Sequence, residues 1–297
     1  MTRLRGLCTA AGAVTLFLLS GCAQTGAGAE APPSSTAPGS GSVPGDGDKL
    51  MLRVTHSGGF VGPDALAGRM PETSVYADGR VIFNGPVPAI YPGPALPNVQ
   101  VLTISPEALG DLIDKAVAAG VEDGTDFGHP GVADAPTTEI TVWTADGEQT
   151  VGAEALNEAQ ADDPALTAPQ KQARKKLLAF TEELNKLTTE PASGTPQQYR
   201  PEVLAAIVQP YVEPGDGLPA RPQKVEWPGP ALPGESLSPT VGLSCVAATG
   251  KQADAVLAAA KDANSATPWI SGGDAYSVRL RPLLPDETGC ADLKAAR

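Results

Sequence analysis

Between Lys49 and Ile104 the chain falls into short runs of β-prone residues separated by turn signals, and further along it changes to helical spacing. Lys49-Leu-Met-Leu-Arg-Val54 is a predicted first strand. Thr73 to Phe83 holds two more runs joined by Asp78-Gly79, a pair that tolerates positive φ and suits a type I′ hairpin turn. Pro86, Pro88, Pro92, Pro94 and Pro97 predict an irregular loop, because proline lacks the N–H that a strand ladder needs. Val99 to Ile104 then returns to strand. Ser105-Pro106-Glu107 opens a helix with Ser as N-cap and Pro at the first position. Leu109, Leu112, Ile113, Ala116 and Val117 form its apolar face, and Gly120 stops it. Thr137–Thr144 and Glu148–Val151 flank Ala145-Asp146-Gly147, a second hairpin signal. Thr167-Ala168-Pro169 starts a helix running to about Leu187, with Leu177, Leu178, Phe180, Leu184 and Leu187 on its inner side.

The segment TTEPASGTPQQ, Thr188 to Gln198, has linker composition and places a boundary at 189–199. Beyond it the expected elements are a short helix over Pro201–Val208 and strands at Gln223–Trp227 and Val241–Val246. A helix over Thr249–Asn264 and a strand over Ala275–Leu280 complete the reading. Hairpins interspersed with helices predict the α+β class. The expected arrangement is an antiparallel, hairpin-rich sheet covered on one face by helices in residues 48–188. A second, smaller, disulfide-bridged α+β domain is expected in residues 200–297.

The first residues follow a different logic. Arg3 and Arg5 precede an apolar run from Leu7 to Leu19, the layout of a secretory signal and too short for a permanent membrane span. Leu19-Ser20-Gly21-Cys22 closes that run and resembles the lipobox of bacterial lipoproteins. The resemblance implies cleavage after residue 21 and a diacylglycerol- and palmitate-bearing anchor on Cys22. The alternative is an ordinary signal peptide cut nearby, with Cys22 incidental. Residues 22–47, rich in Gly, Ser, Pro and Ala, hold almost no large apolar side chain and read as a flexible tether.

Composition narrows the partners. The 297 residues carry a formal net charge of −13, and loss of Arg3 and Arg5 with the signal would take this to about −15. Phosphate backbones repel such a surface, so nucleic acid is not an expected partner. Of the four cysteines, Cys8 leaves with the signal and Cys22 takes the lipid. Cys245 and Cys290 remain, and in an oxidising compartment they are expected to form one structural disulfide. A catalytic thiol pair is the alternative, but C-x-x-C spacing is missing.

Candidate chemistry is sparse. The only histidines, His56 and His129, lie in no H-E-x-x-H motif and have no second imidazole at helical spacing. There is no G-x-S-x-G elbow, no S-x-x-K and no phosphate-cradling glycine loop. Glu122-Asp123-Gly124-Thr125-Asp126 misses the spacing of a calcium loop and reads as a solvated acidic turn. Trp143, Trp227 and Trp269 are flanked by residues that suit packing rather than sugar stacking. No catalytic, metal or cofactor-binding residue is therefore assigned, and no cofactor is expected.

Val75-Tyr-Ala-Asp-Gly-Arg-Val-Ile82, the helix opener at Ser105, Asp134-Ala-Pro-Thr-Thr138 and Arg281-Pro-Leu-Leu-Pro-Asp-Glu-Thr-Gly-Cys290 together resemble a family of uncharacterised lipoproteins of GC-rich Gram-positive (actinobacterial) bacteria. The resemblance covers most of the chain from about Leu50. It implies extracytoplasmic anchoring and a disulfide, and brings no activity or catalytic residue. The function expected is a membrane-anchored, non-catalytic binding or interaction module on the outer face of the cell membrane. Its partner would be an extracytoplasmic protein, a glycan or a small ligand. An extracytoplasmic hydrolase with an unrecognised site, or a transporter's solute-binding component, is the alternative.

Overall fold

Two largely antiparallel sheets share one seam. The computed structural model describes residues 46–190, 194–215 and 222–295; the predicted signal, the lipidation residue Cys22 and nearly all of the tether lie outside them. The first sheet has the order β6-β5-β1-β2-β3-β4-β7. Its strands are β1 (Leu50–Gly58), β2 (Thr73–Tyr76), β3 (Arg80–Asn84), β4 (Val99–Thr103), β5 (Pro136–Thr144), β6 (Gly147–Glu154) and β7 (Gln197–Gln198). The second sheet follows the order β10-β11-β8-β13-β12-β9. It is built from β8 (Val203–Pro210), β9 (Val225–Glu226), β10 (Glu235–Ser238), β11 (Leu243–Thr249), β12 (Trp269–Ser271) and β13 (Asp274–Pro282). Every pairing is antiparallel except β12 with β9.

Helices α2 (Pro106–Ala118) and α3 (Ala168–Thr189) cover one face of the first sheet. The Ser105 hydroxyl accepts from the Ala108 N–H, and Thr167 and Gln170 form a reciprocal capping box, as their sequences predict. Leu112, Ala116, Leu177, Phe180 and Leu184 pack on Leu52, Val54, Val81, Ile140 and Val142. The middle of the opposite face is covered too. Val75 and Tyr76 are consecutive, point to opposite sides, and are both fully buried. A bulge between Leu50 and Leu52 breaks the register with β2, so Leu50 joins Tyr76, Ile82 and Val99 on that second face.

Both hairpins form, with turns other than type I′. The first has a three-residue loop, Ala77-Asp78-Gly79, in which the Gly79 N–H donates to the Tyr76 carbonyl at 2.9 Å. Only Gly79 takes positive φ, 85°, and a Cβ there would lie 2.3 Å from the Ile104 carbonyl oxygen. In the second hairpin Gly147 rather than Asp146 carries the positive φ.

The helix expected over Pro201–Val208 is instead β8, a central strand of the second sheet. Its run Val-Leu-Ala-Ala-Ile-Val is apolar at every position because both faces are buried, and such a run carries neither the period of a strand nor that of a helix. Leu204, Ala206 and Val208 face α4 (Gly250–Ala260) and the edge-to-face pair Trp227–Trp269. Ala205 and Ile207 face the C-terminal tail and α1 (Pro63–Ala67).

The boundary expected at 189–199 falls where the chain passes from one sheet to the other. Gln197–Gln198 within it pairs with β4, and α1, from the first half of the chain, packs on the second sheet. The described residues fall within one compact unit. Two consecutive residues of the tail mark the seam. Leu283 packs with Ile207 and Leu243 of the second sheet, and Leu284 packs with Leu50, Tyr76 and Ile82 of the first.

Candidate functional site

On one side of the seam the sheets leave a cleft of about 800 Å³, within the 300–1,000 Å³ that holds one small-molecule ligand. One wall is the proline-rich loop between β3 and β4, contributing Pro86, Val87, Pro88 and Leu96. The other is the face of α4 that shows Leu257 and Ala258, and the floor is the connector Tyr199-Arg200-Pro201 with Pro282. Hydrogen bonds hold these walls. The Gly85 N–H donates to Asn98 O at 2.7 Å, and Asn98 Nδ2 to Pro86 O at 2.8 Å. Farther along the loop, Ser265 N–H donates to Gly93 O at 2.8 Å, tying it to the segment after α4. Between these ties Val87, Ile90 and Tyr91 stand more than half exposed. The sequence showed this segment only as an irregular loop; its five prolines were the available signal, since they leave a wall poor in N–H donors.

The polar groups of the cleft are few and mostly engaged. Arg200 Nη2 meets Asp254 Oδ1 at 2.6 Å, Gln198 Nε2 donates to Val99 O at 2.8 Å, and the Tyr199 hydroxyl donates to Leu283 O at 2.8 Å. Burial pushes the Tyr199 phenol above its ordinary range. Lys261 lines the cleft just past the end of α4.

The other side of the seam is closed and charged. Arg53 Nη2 meets Asp286 Oδ1 at 2.8 Å, and the fully buried Tyr76 hydroxyl donates to the same oxygen at 2.6 Å. Arg281, 3 % exposed, grips both oxygens of Glu287 at 2.5 and 2.7 Å, and Glu287 also accepts from the Leu284 N–H. Burial, then the negative charge of Asp286, drives the Tyr76 phenol well above its usual range. This phenol has no opening to a substrate and works as a structural clasp.

The disulfide Cys245–Cys290 is present, with Cα atoms 5.9 Å apart, and it pins the tail that carries Asp286 and Glu287 to β11. Both histidines are bound to carboxylates rather than to turn backbone or solvent alone. His56 Nε2 lies 2.6 Å from Glu72, with Nδ1 3.3 Å from the Thr138 hydroxyl, and the exposed His129 Nδ1 lies 3.2 Å from Glu154. Buried Arg174 donates to three carbonyls, those of Phe127, Glu154 and Ala155, and so holds Ala155 at its unusual φ of 48°. Among the described residues there is no group of three or more His, Cys, Asp or Glu placed to hold a metal ion, and no helix long and apolar enough to cross a membrane. A second hollow, about 1,050 Å³ between α2 and the β5–β6 turn, is edged by Asp114, Glu122, Asp123 and Asp146. Its rim continues the acidic surface.

No protein-family model matches the chain, and no curated protein matches it.

Proposed function

We propose that the protein is a lipoprotein anchored to the outer face of the cell membrane through Cys22. Its folded part acts as a non-catalytic module that binds a small ligand in the cleft between the proline-rich loop and α4. The anchor rests on the basic start, the apolar run and Leu19-Ser20-Gly21-Cys22. The binding role rests on one observation: the apolar cleft is open and held by hydrogen bonds, and the one perturbed phenol in its lining, Tyr199, is fastened through its hydroxyl to the Leu283 carbonyl.

Two substitutions test the reading. Cys22→Ser should release the protein into the medium or leave it as uncleaved precursor, and wild-type membrane retention would sink the anchor. Ala258→Asp, at an exposed position on the helix wall of the cleft, should leave folding intact and fail to restore whatever a deletion strain loses. Full complementation by a folded, anchored Ala258→Asp would remove the cleft from the function.

A further inference from the structure

We infer that the cleft takes a single-chain fatty acid anion, with the hydrocarbon tail between the proline-rich loop and Leu257 and the carboxylate at Lys261. This rests on the reading of the cleft as the binding site, and it follows from what the lining offers and withholds. Prolines and aliphatic side chains make the walls, so a long apolar surface gains by entering while a peptide backbone would find few partners. Sugars stack on exposed aromatic faces. The aromatic residue of the lining is Tyr199, part-buried and fastened through its hydroxyl to Leu283. A doubly charged phosphate head group would share the lining with the Asp254 carboxylate and find only Lys261 as an unpaired cation, since Arg200 is paired with Asp254.

What remains is one ammonium. Lys261 has no side-chain hydrogen bond or ion pair among the described residues, and it borders an apolar surface in a chain of net charge −13. A monovalent anion on an apolar chain is the chemistry that one free lysine and an aliphatic slot complement. Val87 of that wall is exposed, and Ile90 and Tyr91, exposed farther along the same loop, extend an apolar lip over which a chain can pass from a lipid phase.

The test uses the secreted full chain with Cys22→Ser, stripped of bound lipid. Where secretion fails, the chain from Ala23 made in an oxidising cytoplasm replaces it, with its disulfide verified by thiol titration. Displacement of a fluorescent fatty acid by oleate should be saturable at one site per chain. Oleyl alcohol and octanoate should each bind at least tenfold more weakly. Lys261→Glu should weaken oleate tenfold or more and leave oleyl alcohol unchanged. Ala258→Asp, at an exposed position of the same helix wall, should abolish binding of both while the far-ultraviolet circular dichroism and the melting temperature stay close to wild-type values. Absence of saturable oleate binding, equal affinity for oleate and oleyl alcohol, or tighter binding of lysophosphatidylcholine would overturn the inference. Failure here combined with failed complementation by Ala258→Asp would leave the cleft as a site for another ligand. Complementation by that variant would remove the cleft itself.

Discussion

Two regions lie where the sheets meet, and they are built from opposite materials. The closed side is made of charges: Arg53, Asp286, Arg281 and Glu287, with Tyr76 driven above its ordinary range, each buried or largely buried. The open side is made mainly of prolines and aliphatics, with the exposed Arg200–Asp254 pair and one further lysine in its lining. Buried polar groups are costly without partners, and here the C-terminal tail supplies Asp286 to Arg53 and Tyr76 and Glu287 to Arg281, with Arg281 Nε alone left unpartnered among the described residues. Exposed apolar walls gain nothing from water and are stabilised when something fills them. Both perturbed phenols therefore have structural partners, Tyr76 in the clasp with Asp286 and Tyr199 at the Leu283 carbonyl on the cleft floor, and the proposed ligand would meet the aliphatic lining.

The largest effect should come from breaking the clasp. Arg281→Ala leaves Glu287 buried without its cation and should destabilise by about 3–5 kcal/mol, measured by urea unfolding. Removing the bridge with Cys245→Ser and Cys290→Ser should cost about 4 kcal/mol on the chain-entropy account of a 45-residue separation. A loss under about 1 kcal/mol in either case would mean that the tail does not hold the sheets together.

Arg174→Met should be milder, about 2–3 kcal/mol, since it strands buried carbonyls of Phe127 and Ala155. Limited proteolysis should then open the 154–155 corner first.

Tyr76→Phe should lose about 1–2 kcal/mol at neutral pH through the bond to Asp286. It should also change the alkaline limb. The folded phenol binds its proton more tightly than the unfolded one, so its stabilisation is complete below about pH 10 and is lost as pH rises above that. Tyr76→Phe should flatten this loss; an unchanged alkaline profile would show that another group controls it. At the small end, Lys261→Glu and Val87→Ser should move stability by no more than about 0.5 kcal/mol, because both side chains are exposed. A larger change would mean that the cleft carries structural load.

Legibility followed how local the information was. Ser105 and Thr167 name their helix starts because an N-cap needs only residues within one turn. The disulfide followed from counting, since Cys245 and Cys290 were the cysteines left over. The fully apolar β8 was misread as a helix because burial on both faces erases its period. The type I′ turn was misassigned because Asp-Gly permits several turns, and the bulge and ladder select among them.

The sequence by itself determined the hairpins, the capped helices, the acidic balance and the α+β class, all of which depend on neighbours along the chain. Tertiary structure alone decided that Leu283 and Leu284 enter different cores, that Asp286 reaches back to Arg53 and Tyr76, and that the proline-rich loop faces α4 across an open cleft. Those contacts join residues up to 233 positions apart. No local period or spacing records such a meeting, because it is set by how two sheets pack rather than by the propensity of any one segment.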